Sequence, residues 1–314
     1  VIGGYGSLWL YDLGTGPDDP PRLVRSIRIP NVLTTAAQVD RRGYVWVATP
    51  DGETTGPHYA MYVVDPYQAT VHRVIELPDT LRAVGDLSIY DDGVFVRSWR
   101  NGFSGGIGQV DPDCVVDDTR CAPSLFVDLG NVGGSLEPSI LRIGDILFSA
   151  SRSNSRDGRH STDRIPVASG AITASAPFVG KTVTDGSSLF VSTRVRTGEP
   201  ELVRLGLETL GATGATAFPD SPQIAYEDGT VYLSASRGAT VTAFDAETLE
   251  PTRTYVIPEG AGAHDTFAFA APGVLMLNGT TSLAVESGDV LFDPARGTAE
   301  MGSFQRELRL PQRR

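Results

Sequence analysis

Ile-Ala-Tyr-Glu-Asp-Gly229-Thr-Val-Tyr-Leu-Ser-Ala-Ser, followed by Thr240-Val-Thr-Ala-Phe-Asp-Ala-Glu-Thr-Leu and Tyr255-Val-Ile-Pro258, contains four short apolar runs separated by turn residues. Runs this short, rich in β-branched and aromatic residues, read as strands, and Asp-Gly between the first two is a hairpin signal. The same strand, tight turn and more apolar strand recur along the chain. Their turns are Arg-Arg-Gly43, Asp-Asp-Gly93, Ile-Gly144-Asp, Thr-Asp-Gly186, Glu-Asp-Gly229 and Ala-Pro-Gly273. These glycines lie 50, 51, 42, 43 and 44 residues apart, the length of a four-stranded propeller blade.

A third strand ends at an aspartate (Asp12, Asp65, Asp111, Asp245, Asp293) and a fourth in an apolar-Pro step (Ile29-Pro30, Leu77-Pro78, Phe218-Pro219, Ile257-Pro258, Leu310-Pro311). Proline there stops ladder pairing where the outer strand leaves the sheet. Extending the spacing beyond both ends puts the N-terminal and C-terminal segments in one shared blade. The expected architecture is therefore all-β: a seven-bladed β-propeller of four-stranded antiparallel blades, one domain over residues 1–314, its ring closed by joining the two termini. Six blades is the alternative. Less than about a tenth of the chain is expected to be helical, against the usual third.

The Gly229 unit resembles the YVTN-type propeller repeat, well in this blade and weakly over most of the chain. That resemblance implies a surface or secreted repeat protein, often a binding module, and specifies no catalytic residues. WD40 repeats are not matched, since the Gly-His and Trp-Asp dipeptides are absent. Quinone-dependent dehydrogenase propellers carry a docking tryptophan in most blades, whereas this chain has Trp9, Trp46 and Trp99.

A net charge of −12 and a pI of about 4.8 oppose general nucleic-acid or anionic-membrane binding. No run approaches the roughly 18 apolar residues of a membrane span. The two cysteines, Cys114 and Cys121, enclose a short polar loop that a disulfide would staple in an oxidising compartment; reduced cytosolic thiols are the alternative. A disulfide places the protein in the periplasm, at the cell surface or in secretion, its export signal removed or outside this sequence. A monomer is expected.

With strands A to D named from the axis outward, A-to-B and C-to-D turns share one face and B-to-C and D-to-A connections the other. The first face collects acidic residues, among them Asp91, Asp92, Asp185, Asp228 and Glu247, with few compensating bases. Aspartate in tight turns ordinarily caps its own backbone. Asp111, Asp113, Asp117 and Asp118 could instead supply oxygen ligands to calcium, although their spacing is not that of an EF-hand loop. No other cofactor is expected.

The opposite face collects Arg100, Arg152, Arg156, Arg159, Arg194, Arg196 and Arg237, with Trp99 beside Arg100. Guanidinium forks there suit carboxylate, sulfate or phosphate groups, although the chain's preference for Arg over its single lysine, Lys181, accounts for part of the clustering. Asp86, Glu137, Lys181 and His264 lie where inner strands enter the channel. They are a second candidate set, either solvated by ordered water or acting as metal ligands and acid/base groups. The expected function is a binding or scaffold module for a protein or acidic glycan on the arginine-bearing face. The rival is a channel-mouth hydrolase or lyase, lactonase-like or streptogramin-lyase-like and metal-dependent in the first case, although neither family's motif is traceable here.

Overall fold

A computed structural model describes residues 2–4, 7–12, 22–29, 36–48, 60–81, 84–98, 104–116, 121–131, 139–152, 160–193, 201–218, 223–234, 240–257, 267–277 and 281–292. At the N-terminus β1 (Ile2–Gly4), β2 (Ser7–Asp12) and β3 (Arg22–Arg28) form a three-stranded sheet. Six four-stranded sheets follow. Blade 1 comprises β4 (Ala36–Val39), β5 (Val45–Ala48), β6 (Ala60–Asp65) and β7 (Thr70–Glu76). Blade 2 comprises β8 (Val84–Tyr90), β9 (Gly93–Ser98), β10 (Ser104–Val110) and β11 (Ser124–Asn131). In blade 3 are β12 (Ser139–Ile143), β13 (Ile146–Arg152), β14 (His160–Pro166) and β15 (Ala174–Ala176). Blade 4 holds β16 (Gly180–Thr184), β17 (Ser188–Thr193), β18 (Glu201–Gly206) and β19 (Ala212–Ala217). Blade 5 is built from β20 (Gln223–Glu227), β21 (Thr230–Ser234), β22 (Thr240–Asp245) and β23 (Pro251–Val256), and blade 6 from β24 (Ala268–Ala271), β25 (Val274–Met276), β26 (Thr281–Ala284) and β27 (Val290–Phe292).

The expectation of seven four-stranded blades is therefore corrected: among the described residues the propeller has six, and the N-terminal sheet stops at three strands. Repeat spacing counts how often a turn recurs. It carries no information on whether a partial repeat at one end acquires a fourth strand, and closure by the two termini finds no paired strand among the described residues.

All strand pairs within the blades are antiparallel, and the hairpins turn where the sequence places them. Asp228 and Gly229 both have positive φ, 43° and 75°, the combination a two-residue hairpin turn requires and which Asp-Gly tolerates. Second strands are largely buried, β5 and β9 at every position, because blades stack face to face and cover both sides. Outer strands are the opposite, β23 being exposed at five of its six positions.

The core is a series of apolar layers between successive sheets. Trp46, Met61 and Ile75 of blade 1 pack on Leu87, Val94 and Val110 of blade 2, and Phe148 of blade 3 packs on Leu189, Val191 and Val203 of blade 4. Emptying one such position, as in Phe148→Ala, costs about 3–5 kcal/mol. Side-chain contacts advance together along neighbouring inner strands, Asp86 to Ile140 and Tyr90 to Arg142, so β8 and β12 run in the same sense. The A-to-B and C-to-D turns thereby occupy one face and the B-to-C connections the other. Among the described residues no helix is long and apolar enough to cross a membrane.

Candidate functional site

Polar side chains of the inner strands reach across to the next blade. Gln38 Oε1 accepts from Ile89 N–H at 2.9 Å, and Asp86 Oδ2 accepts from Ile140 N–H at 2.9 Å while its Oδ1 accepts from Leu87 N–H. Tyr90 O–H donates to the Arg142 carbonyl at 2.7 Å, the Ser139 and Thr182 hydroxyls bond at 2.7 Å, and Lys181 Nζ donates to Gln223 Oε1. Glu227 closes the series by accepting from Gly273 N–H at 2.9 Å. Asp86 and Lys181, candidates for a converging channel site, thus stitch successive inner strands together. Glu137 and His264 lie outside the described residues.

On the turn face the acidic residues have more compensation than the sequence suggested. Arg41 lies 3.4 Å from Asp91, and Arg42 pairs with Asp113. Arg142 forks onto both carboxylate oxygens of Asp92, reaches Asp145 at 3.4 Å and lies 4.8 Å over the Tyr90 ring. The Arg142 hydrogen bond holds the Asp92 carboxyl below the usual carboxylate range, and Arg42 does the same for Asp113. Between blades 1 and 2 this face has a cleft of about 60 Å³ lined by Asp40, Arg41, Arg42, Tyr90, Asp91 and Pro112, far below the roughly 300 Å³ of a small-molecule site.

Cys114 and Cys121 are bridged. Asp111 caps the 3-10 turn Pro112–Val115 by accepting from Asp113 N–H at 2.8 Å. Blade 1 grips the stapled loop: Arg73 donates to the Cys114 carbonyl at 2.6 Å and lies 3.6 Å from Cys121 Sγ. His72 is exposed yet contacts the Val115 carbonyl at 3.1 Å and stacks on Tyr44 with ring centroids 4.8 Å apart. Of the four candidate calcium ligands, Asp111 is thus a turn cap and Asp113 an ion-pair partner, while Asp117 and Asp118 lie outside the described residues. Among the described residues, no three His, Cys, Asp or Glu side chains group as a metal site.

A second series of contacts escaped the sequence reading. Arginines on outer strands (Arg25, Arg73, Arg253) or third strands (Arg164, Arg204) donate to backbone carbonyls in the C-to-D turn of the following blade: Arg25 to Tyr67, Arg73 to Cys114, Arg164 to Leu207, Arg204 to Ala246 and Glu247, and Arg253 to Val285, Glu286 and Ser287. The receiving turns are shaped by the repeated aspartate, since Asp65 Oδ1 accepts from Tyr67 and Gln68 N–H and Asp245 Oδ1 from Glu247 and Thr248 N–H. Those backbone donors, Thr248 foremost, hold the Asp245 carboxyl below the usual range. The available signal was register: Arg73 and Arg253 pair with residues two before Asp65 and Asp245. In blade 2 the same position is Ser124, opposite Gln109.

Of the arginine-face candidates, Trp99, Arg100, Arg156, Arg159, Arg196 and Arg237 lie outside the described residues. Arg152 is described only in its backbone, which ends β13 opposite His160.

No family model matches the chain, and no curated protein matches it in sequence. Solved structures do match in fold. The β-propeller domain of Cps50 (Swd1) from Myceliophteria thermophila aligns over 90% of this chain and 88% of its own with TM-score 0.60 at 13% identity. BamB from Moraxella catarrhalis aligns over 90% and 85% with TM-score 0.54 at 11% identity. The hydrazine synthase of Kuenenia stuttgartiensis aligns over 89% and 87% with TM-score 0.56 at 14% identity. At such identities the likeness establishes the propeller fold alone.

Proposed function

We propose that this chain is an extracytoplasmic binding or scaffold propeller that engages a protein or acidic glycan on the face carrying its B-to-C connections. The observation that carries this reading is the separation of charge by strand topology. The A-to-B and C-to-D turns, which carry acidic residues such as Asp91, Asp92, Asp185, Asp228 and Glu247, leave one end of the blades, whereas the connections bearing Arg100, Arg156, Arg159, Arg194, Arg196 and Arg237 leave the other. Asp86 and Lys181 support binding over channel-mouth chemistry, because both are engaged in inter-blade hydrogen bonds. The Cys114–Cys121 bridge supports an oxidising compartment.

Polyglutamate and polyglucuronate serve as probes of an acidic protein segment and an acidic glycan. Replacing Arg152, Arg156 and Arg159 together by Ala is expected to weaken binding of one of them about tenfold or more, and raised salt to weaken the wild type similarly. Asp117→Ala with Asp118→Ala should leave binding unchanged. Binding that survives the arginine changes but disappears with the aspartate changes, or with a calcium chelator, would move the site to the stapled acidic loop.

A further inference from the structure

The connection between third and fourth strands is short in blade 1 (residues 66–69) and blade 5 (residues 246–250), but in blade 2 it runs over residues 111–123. This longer connection carries the Cys114–Cys121 bridge. Blade 1 holds it at four consecutive residues: Arg42 donates to the Pro112 carbonyl at 3.3 Å and pairs with Asp113, Arg73 donates to the Cys114 carbonyl at 2.6 Å, and His72 meets the Val115 carbonyl at 3.1 Å. Cys114 and Val115 are buried in the apolar layer that contains Trp46, Met61 and Ile75 of blade 1. The bridge therefore pins the stretch through which blade 1 grips blade 2.

The two sulfurs have different surroundings. Cys114 is 3% exposed, whereas Cys121 is half-buried and so is the end an outside thiol meets. The guanidinium that clamps the Cys114 carbonyl also lies 3.6 Å from Cys121 Sγ. A cation there does little for a bridged, neutral sulfur and much for a thiolate, which neighbouring arginine stabilises. A disulfide whose reduced form is stabilised is more readily reduced. The other clamps meet carbonyls of Tyr67, Leu207, Ala246 and Val285, in turns without cysteine. Arg73 alone among them stands between a backbone carbonyl and a sulfur.

We infer that the Cys114–Cys121 bridge is a reducible latch on the seam between blades 1 and 2, opened by a dithiol, with Arg73 as the positioning residue that changes partner when it opens. One sulfur of the dithiol, as thiolate, attacks Cys121 Sγ; the Sγ–Sγ bond breaks, and its electron pair leaves with Cys114 Sγ, which takes up a proton. The dithiol's second thiol gives its proton to water and displaces Cys121 as a thiolate. The dithiol ends as a disulfide, and the protein holds two more electrons. Arg73 then turns from the neutral Cys114 carbonyl to the Cys121 thiolate, because a hydrogen bond between two charged groups is about twice as strong as one between neutral groups. Blade 1 thereby loses its clamp on blade 2, while the apolar layer beneath keeps the blades stacked.

Equilibration of the intact protein with mixtures of reduced and oxidised dithiothreitol, read by alkylation and mass, tests the latch. The bridge should open while circular dichroism shows the propeller still folded, and hydrogen exchange should then accelerate over residues 70–76 and 111–116 but not over blades 4 to 6. Arg73→Gln should shift the equilibrium toward the bridged form about fivefold to tenfold, and Arg73→Lys, which keeps the cation, by less. A purely structural clamp predicts the opposite sign, since a loosened loop is easier to open. In the reduced protein near neutral pH, Cys121 should alkylate faster than it does in Arg73→Gln. A bridge that opens only as the protein unfolds, that opens equally or more readily in Arg73→Gln, or whose opening leaves exchange unchanged overturns the latch. Where Arg73→Gln fails to fold, the opening of the folded wild type and its exchange decide.

Discussion

Among the described residues, five seams between successive sheets carry an arginine clamp onto the next blade's C-to-D turn, from Arg25 at the N-terminal sheet to Arg253 at blade 5. Between blades 2 and 3, Ser124 occupies the clamp position used in blades 1 and 5. That seam is fastened at its two ends instead, by Arg142 with Asp92 and Tyr90 on the turn face and by Arg97 with Ser149 on the loop face. A clamp donates to backbone carbonyls, so it tolerates change in the receiving side chains. The blade 2–blade 3 fastenings depend on particular side chains, and the loop-side fastening removes charge from solvent at a cost that well-packed apolar residues would avoid. The difference teaches that most seams are generic joints of a repeat, whereas this one is specialised.

Removing a clamp is the larger way to test that contrast. Arg253 donates to three consecutive carbonyls and lies 4.7 Å over Tyr255, whose own hydroxyl donates to the Val285 carbonyl. Arg253→Ala is expected to lower stability by about 1–2 kcal/mol, the exposed setting keeping the loss modest; urea unfolding measures it. An unchanged midpoint would make the clamps ornamental.

Acid should expose the turn-face fastening next. Asp92 titrates below its ordinary value because Arg142 hydrogen-bonds to its ionised form, so the unfolded chain binds its proton first as pH falls from neutrality only at about 3.9, and the folded chain later still. The stability from this pair is therefore full above about pH 4 and lost as pH drops through the lowered folded value. Melting temperature followed from pH 6 to pH 2 should decline below pH 4, and Asp92→Asn should reduce that decline. Completing the missing clamp is the smallest effect: Ser124→Arg should add about 0.5–1 kcal/mol if its guanidinium reaches the blade 3 turn at residues 167–170.

Much of this was readable from local chemistry. Strand and turn positions follow alternation and the Asp-Gly signals, so Asp228-Gly229 and the capping aspartates Asp65, Asp111 and Asp245 fall where a repeat unit requires them. The disulfide followed from two cysteines on one short loop. Blade number did not follow, because among the described residues the N-terminal sheet ends at three strands, and spacing does not count strands. Nor did the seam contacts: Arg73, Arg97 and Asp163 look like ordinary strand residues until register and stacking set each against its neighbour in the next blade. The turn face looked uncompensated because Arg41, Arg42 and Arg142 meet Asp91, Asp113 and Asp92 across blades, at sequence distances that inspection of a single turn does not reach.

The central claim is that recognition belongs to the face of the B-to-C connections, and hydrogen exchange with and without saturating polyglucuronate measures it most directly. The claim predicts protection of peptides covering 99–103, 153–159, 194–200 and 235–239, and no change over Asp111–Cys121. Protection confined to Asp111–Cys121 and the other C-to-D turns would contradict it.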